Sequence, residues 1–477
     1  MVPDALLDAL AARLGPKGFS RDADALRPWL TDWRGRFTGR AAALLSPAGT
    51  EEVAEIVRAC AVARVPLVTQ GGNTGMVGGA TPDGDGRALL LSTRRLAAVR
   101  ALDAEGGRIV VEAGVTLQTV HDLAGAERLR FPLSLGARGS ATVGGLLSTN
   151  AGGTQVLRWG TMRALTAGLE AVLPDGSVLS TLAGLPKDNR GPDVPGLLIG
   201  AEGTLGVITA ATLKLVAEPD ARAVAWVGLG DAGAALRLLR ALERHLPGAV
   251  ESFELVPARA LDLVLRHRPG ARPPLSEAHP WNVLVEAVGD EGIAERLTDA
   301  LGHESLLIAD ATVAPSRAAA DALWALREGI ADAERKAGRA AKHDISVPVP
   351  AMPGFIDRVG QEVEARFPGT TVVAFGHLGD GNVHFNVLEP PDAPPDWLDG
   401  EGRAVTRLVH DRVGEAGGSI SAEHGIGQMK RTEYLRTADR ARLAAQAAIK
   451  AALDPHGVMN PGKLVGPADV AKAGGAS

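Results

Sequence analysis

The stretch Val65-Pro-Leu-Val-Thr-Gln-Gly-Gly-Asn-Thr-Gly-Met-Val-Gly-Gly79 decides how the first half of the chain is read. A short apolar strand, Val65 to Thr69, runs directly into paired glycines. Glycine has no Cβ, so the backbone N–H groups of such a loop can close on a pyrophosphate. Two further stretches have the same character, Leu135-Gly-Ala-Arg-Gly-Ser-Ala-Thr-Val-Gly-Gly145 and Ile199-Gly-Ala-Glu-Gly-Thr-Leu-Gly-Val-Ile208, with Asn150-Ala-Gly-Gly153 between them. One such loop is an ordinary turn. Three imply a large cofactor threaded between loops. None ends in GK[ST], so nothing supports a nucleoside triphosphatase.

Outward from that stretch, residues 50–64 read as an amphipathic helix. Thr50 is placed to cap it, Glu51 and Glu52 suit its positive end, and Val53, Ile56, Val57 and Cys60 share a face. Strands are predicted at 88–92, 108–112, 169–173 and 205–216. The pattern changes near Glu218-Pro219-Asp220, a natural domain boundary. Beyond it the order is strand, helix (231–246), strand (249–255), helix, strand (281–288), then a second helix–strand round. That order predicts an α+β domain with an antiparallel sheet. Helices follow at 402–416 and 430–453, the latter stopped by Asp454-Pro455, and the small polar tail after Val465 is expected to be disordered.

A chain of 477 residues exceeds what one core usually serves. Its 45% hydrophobic and 22% charged residues are ordinary for a soluble protein, and a net charge of −6 gives no support for nucleic-acid binding. The single cysteine, Cys60, excludes an intramolecular disulfide and points to a reducing compartment. MVPDALLDALAARLG carries acids and no basic n-region, so it does not read as a signal peptide. The longest uncharged stretch, roughly 139–157, is too polar to span a bilayer. A cytoplasmic protein is expected, and the excess of arginine over lysine suggests a GC-rich bacterial genome.

The second half turns on Phe375-Gly-His-Leu-Gly-Asp-Gly-Asn-Val-His-Phe-Asn386. Asp-Gly flanked by apolar runs predicts a two-residue hairpin turn, which sets His377 directly opposite His384 on one sheet face. Two imidazoles so placed can converge on one ion, and Asn386 lines the same face. Glu423, in Ser421-Ala-Glu-His-Gly-Ile-Gly427, offers the carboxylate of a two-histidine, one-carboxylate site with open positions. His424 beside it points elsewhere and reads as a general base.

A rival motif, Gly228-Leu-Gly-Asp-Ala-Gly233, matches GxGxxG, with Glu251 where a ribose-binding acid would lie. Asp231, however, would put a carboxylate where the pyrophosphate must sit, and a helix N-cap role suits it better than NAD binding does.

QGGNTGMVGG, STNAGG, IGAEGTLGVIT, GHLGDGNVHFN, SAEHGIGQ and DPHGVMNPGK, in this order, resemble the FAD-binding oxidoreductases of the vanillyl-alcohol oxidase superfamily. The D-2-hydroxyglutarate/D-lactate dehydrogenase group matches best, over about residues 30 to 465. The resemblance implies an α+β chain with a PCMH-type FAD-binding domain of two subdomains (1–218). It further implies a ferredoxin-like antiparallel substrate cap carrying the metal hairpin (219–410) and a C-terminal helical segment (411–466), ahead of the tail at 467–477. It places the pyrophosphate on Gly71, Gly72, Asn73, Thr74 and Gly75. Flavin contacts fall on Ser140, Gly144, Gly145, Asn150, Gly152, Glu202, Gly203, Gly206, Ile208 and Asn460. His377, His384 and Glu423 match the ligands of a divalent metal, zinc first among the candidates, and His424 matches the base.

Substrate contacts carry onto Arg327, Lys342 and Asn386. On its own terms Arg327 is an ordinary helix-surface charge. The implied reaction oxidises a D-2-hydroxy acid, D-2-hydroxyglutarate foremost, to the 2-oxo acid, with hydride passing to flavin N5 and His424 taking the proton.

Two departures bear on the substrate. Ala331 stands where the hydroxyglutarate enzymes carry threonine, and Lys187-Asp-Asn-Arg-Gly-Pro-Asp-Val194 lacks the usual tyrosine. D-Lactate or glycolate oxidation is therefore the nearer alternative, and a flavin-bearing electron-transfer subunit the distant one. No histidine lies in the pyrophosphate loop, so the FAD is expected to be non-covalent. The electron acceptor (quinone, electron-transfer flavoprotein or oxygen) and a homodimer stay open.

Overall fold

The computed structural model describes residues 2–466 and Asp469; the rest of the tail expected to be disordered lies outside the described residues. The chain divides into two compact units. One comprises Met1–Gly153, Gly160–Glu218 and Glu423–Ser477, the other Thr154–Trp159 and Pro219–Ala422.

The first unit holds two main sheets. In the first, the strands Ala41–Leu45, Ala88–Ser92 and Leu67–Gln70 pair in parallel, with Phe19–Ser20 antiparallel at one edge. Ala88–Ser92 is buried throughout, as a central parallel strand covered on both faces must be. The helix Thr50–Ala63 lays Val53, Ile56, Val57 and Cys60 against Leu67, Leu89 and Leu91. Thr50 does not cap it. Gly49 is the N-cap residue, and the Thr50 hydroxyl donates instead to the Glu170 carboxylate at 2.6 Å. The second sheet is antiparallel, in the order Val99–Asp103, Arg108–Glu112, Val207–Lys214, Thr166–Val172, Val178–Ser180.

The second unit is built on seven antiparallel strands. Their order is Asp310–Val313, Ala221–Leu229, Trp281–Gly289, Val250–Pro257, Thr371–His377, Asn382–Leu388, Ala340–Ser346. On one face Val224, Trp226, Val256, Leu284, Val373 and Phe375 pack against Leu263 and Val264 of the helix Ala258–His267, Leu323 and Leu326 of Arg317–Glu328, and Ile330 and Ala333 of Ile330–Ala337. This packed face continues into the polar row described below.

The helix expected over 430–453 is two helices, Arg431–Thr437 and Arg440–Leu453. Asp439 starts the second by accepting the Arg442 N–H, which offers the backbone a new N-terminus in place of another turn. Among the described residues no helix is long and apolar enough to cross a membrane.

Candidate functional site

The hairpin carrying the two histidines is not closed by a two-residue turn. His377 pairs with Asn382, and His384 pairs with Phe375, leaving Leu378 to Gly381 as a four-residue loop. The cause is tertiary: the Leu378 N–H donates to the Phe253 carbonyl of the neighbouring strand at 3.1 Å, with its side chain fully buried. Gly381 closes the loop at φ +81°, donating to the His377 carbonyl at 3.1 Å. The register therefore differs by two residues from the expected one. A two-residue shift keeps side chains on their face, whereas a one-residue shift would have turned them over. The histidines still share a face, diagonally, with ring centroids 5.5 Å apart and ligand nitrogens within 4.8 Å of one another.

Each histidine meets a carboxylate on the strand beside it. Glu254 lies directly opposite His377, and Nδ1 of His377 is 2.5 Å from its Oε1. Asp344 lies directly opposite His384, with Oδ1 3.9 Å from Nδ1. Asn382 holds Asp344 by donating to that oxygen at 2.9 Å. Burial alone would push the Glu254 carboxyl up; the charges of Arg327 and His377 bring it down to about 2. It is ionised and accepts, so Nδ1 of His377 carries the proton.

Arg327 is no surface charge. Its side chain is 11% exposed, its Nε donates to Glu254 Oε2 at 2.6 Å, and its guanidinium lies 4.8 Å from the centroid of Phe375, the residue paired with His384. One same-face step along from Asp344 and His384, Lys342 faces Asn386 across the strands. Both donate to Glu334, whose side chain has no exposure: Lys342 Nζ at 3.0 Å, Asn386 Nδ2 at 3.0 and 2.8 Å.

The chain segment leading to Glu423 is anchored in this unit. Ser419 and Ser346 exchange backbone hydrogen bonds at 2.8 and 2.9 Å, and the Ala422 N–H donates to the Asp344 carbonyl at 3.3 Å. Glu423 follows Ala422 directly and, with His424, is half-buried.

In the first unit the glycine loops converge. A Cβ on Gly71 would sit 2.2 Å from Thr142 Oγ1, and one on Gly72 would sit 1.8 Å from the Ser140 carbonyl oxygen. On Gly144 it would press on Ala113, whereas at Gly75 it would meet nothing within 4 Å among the described residues. Among the described residues, buried Thr69 Oγ1, Gln70 Oε1, Thr93 Oγ1, Thr142 Oγ1 and Asn460 Oδ1 have no hydrogen-bond partner. A cradle of close-set glycines ringed by buried polar atoms fits a large polar cofactor.

Backbone strain gathers there too. Asn73, Asn150, Glu202 and Asn460 have φ of +52°, +50°, +51° and +40°, four of the seven described non-glycine residues with positive φ. Such conformations persist where the surroundings enforce them, commonly at ligand sites. Gly203 and Gly206 are left-handed beside them, Gly152 and Ile208 are buried, and Thr74 and Ser140 remain solvent-accessible.

Glu202 and Asn460 also act as internal staples. Glu202 is buried, and burial raises its pKa even though it accepts the Ile426 and Gly427 N–H groups, each at 2.7 Å. Asn460 Nδ2 donates to the Gly79 and Glu202 carbonyls at 2.9 and 2.7 Å. The segment after His424 is thereby tied to the glycine loops.

The rival GxGxxG motif is filled by protein. Asp231 accepts the Ala234 N–H at 2.7 Å as an N-cap, and a Cβ at Gly228 would meet the His279 ring at 2.2 Å. Glu251 is fully buried, accepting from Gln155 and Trp159.

Residues 218–464 match the model of the FAD linked oxidases, C-terminal domain, and residues 41–182 match an FAD binding domain. The chain belongs to the FAD-linked oxidases. A D-2-hydroxyglutarate dehydrogenase of Xanthomonas citri is 37% identical over 439 residues, 91% of each chain. A putative mitochondrial D-lactate dehydrogenase of Schizosaccharomyces pombe is 33% identical over 461 residues, 94% of this chain and 86% of that one. The solved structure of p-cresol methylhydroxylase with substrate bound superposes with TM-score 0.73 at 17% identity, over 98% of this chain and 97% of that one; it shows the fold.

Sequence reasoning missed Glu254, Glu334, Asp344 and Asn382. Asp344 was within reach, since it lies two residues from Lys342 and shares its face. Glu254 becomes visible only through its pairing with Arg327 and His377, 73 and 123 positions on, and Glu334 only through the packing of its helix on Lys342 and Asn386.

Proposed function

We propose that this FAD-linked oxidase oxidises a D-2-hydroxy acid to the 2-oxo acid at a site that also holds a divalent metal, zinc first among the candidates. The observation that carries this is the pair His377 and His384 on one sheet face, each set opposite a buried carboxylate. Metal-ligating histidines characteristically give their other ring nitrogen to such a group. In the proposal His377 and His384 ligate, and Glu423, one peptide bond beyond the anchored Ala422, supplies the carboxylate.

The FAD would be held by Gly71, Gly72, Asn73, Thr74 and Gly75 at its pyrophosphate. Ser140, Gly144, Gly145, Asn150, Gly152, Glu202, Gly203, Gly206, Ile208 and Asn460 would serve the rest. When bound, the FAD supplies a two-electron acceptor and the metal supplies Lewis acidity that lowers the hydroxyl pKa. The chain's own residues do the positioning. Glu254 fixes the Nδ1–H tautomer of His377 and so presents Nε2. Arg327 spends its Nε on Glu254 and keeps its terminal nitrogens for the substrate carboxylate. His424 takes the hydroxyl proton. Electrons leave to an external acceptor.

Relatives named for D-2-hydroxyglutarate put that acid first for testing, and the D-lactate naming keeps monoacids in the same panel. Anaerobic mixing of the FAD-loaded protein with D- and L-enantiomers tests the reading. Bleaching of the flavin by D-2-hydroxy acids alone is expected; no bleaching by any of them would overturn it.

A further inference from the structure

Both cations of the polar row already face a buried carboxylate of the protein. Arg327 meets Glu254 through Nε at 2.6 Å, and Lys342 meets Glu334 at 3.0 Å. The side chains of Glu254 and Glu334 have no exposure at all. Glu334 also accepts from Asn386 Nδ2 through both carboxylate oxygens, at 3.0 and 2.8 Å. Lys342 and Asn386 stand one same-face step, about 7 Å, along the strands from Asp344 and His384. A hydroxy acid held at the histidines through its hydroxyl and first carboxylate would extend its tail over such a distance. The tail would therefore arrive at a lysine whose charge is matched and an amide whose donor is engaged.

We infer that Glu334 sets the substrate class: by occupying Lys342 and Asn386 with a carboxylate of the protein, it selects D-2-hydroxy acids with one carboxylate and an uncharged tail over diacids. The inference rests on the reading of this site as that of a D-2-hydroxy acid dehydrogenase. A second substrate carboxylate would have to displace Glu334 from its two partners, leaving that side chain buried and charged, or lie against it with like charge. Either is costly where solvent is excluded. The first carboxylate meets no such conflict, because Arg327 gives Glu254 only its Nε. Ala331, one turn before Glu334 on the same helix, has no hydroxyl to offer a far carboxylate in compensation.

The test uses the FAD- and metal-loaded protein and its E334Q variant, in which the amide keeps the shape and removes the charge. Anaerobic flavin reduction by D-lactate, D-2-hydroxybutyrate and D-2-hydroxyglutarate gives kcat/KM for each. Spectral titration of the oxidised flavin with pyruvate and 2-oxoglutarate gives binding without turnover. The wild type is expected to prefer the monoacids, in rate and in binding, by at least tenfold. E334Q should move the diacid-to-monoacid ratio toward the diacid by at least tenfold, a shift that general loosening of the site would not produce. A wild type that prefers D-2-hydroxyglutarate, or an E334Q ratio that stays put, overturns the inference and leaves the proposed reaction standing. Failure of every D-2-hydroxy acid to reduce the flavin takes down the proposed reaction, and the inference with it. The wild-type ratio decides even if E334Q does not fold.

Discussion

His377 and Glu254 face each other across neighbouring strands, Nδ1 to Oε1 at 2.5 Å, and Arg327 closes on the far oxygen of the same carboxylate at 2.6 Å. Glu254 thus joins a proposed metal ligand to a proposed substrate-binding arginine. A histidine whose Nδ1–H is fixed in this way is pre-oriented, and loss of such a partner typically weakens a metal 10–100-fold. E254Q is expected to lower metal affinity in that range while leaving FAD content intact, as measured by chelator competition on the holoenzyme. Unchanged affinity would remove Glu254 from the metal's support.

Glu254 also sets an acid dependence. Its folded pKa of about 2 lies below the ordinary glutamate value of about 4.3. A depressed carboxylate contributes stability that is complete above the unfolded value and is lost as pH falls through the folded one. Denaturant unfolding of the wild type should therefore weaken between about pH 4.3 and pH 2. In E254Q the same fall should be shallower. Equal slopes would count against an ionised, paired Glu254.

The glycine loops separate packing from cofactor contact. At Gly72 a Cβ would strike the Ser140 carbonyl carbon and oxygen, so G72A should lower both stability and FAD retention. At Gly75 the same atom meets nothing within 4 Å among the described residues. G75A is predicted to leave the melting temperature of the FAD-free protein unchanged and to weaken FAD binding at least tenfold. Full FAD retention by G75A would move the pyrophosphate elsewhere.

How much of this was legible in the sequence follows from the range of each interaction. The glycine loops and the buried strand Ala88–Ser92 were readable because their signals are local. The shared face of His377 and His384 survived an incorrect register because side-chain parity repeats every two residues. The register itself was not readable: Leu378 is drawn out of the turn by the Phe253 carbonyl, 125 positions earlier in the chain. Thr50 could not be denied its cap without knowing that Glu170 stood nearby, and the break at Asp439 is a local capping signal that the longer helical period obscured. Arg327 read as a surface charge on its own helix because Glu254 and Phe375 come from two other strands.

Cys60 gives an independent check on the first core. It has no exposure, and burial pushes its thiol up to about 12. At pH 8 a thiol-specific reagent should label the native protein at least a thousandfold more slowly than a free thiol of pKa about 8.5, with full labelling on unfolding. Rapid labelling of the native state would contradict the packing of the helix Thr50–Ala63 on its sheet.

The most direct measurement is anaerobic reduction of the bound flavin by a D-2-hydroxy acid before and after metal removal, with the metal counted per chain. One divalent ion per chain is expected, with bleaching that disappears when the ion is stripped although FAD remains and that recovers when the ion is restored. Bleaching that persists in the metal-free protein, or in H384A, would contradict it.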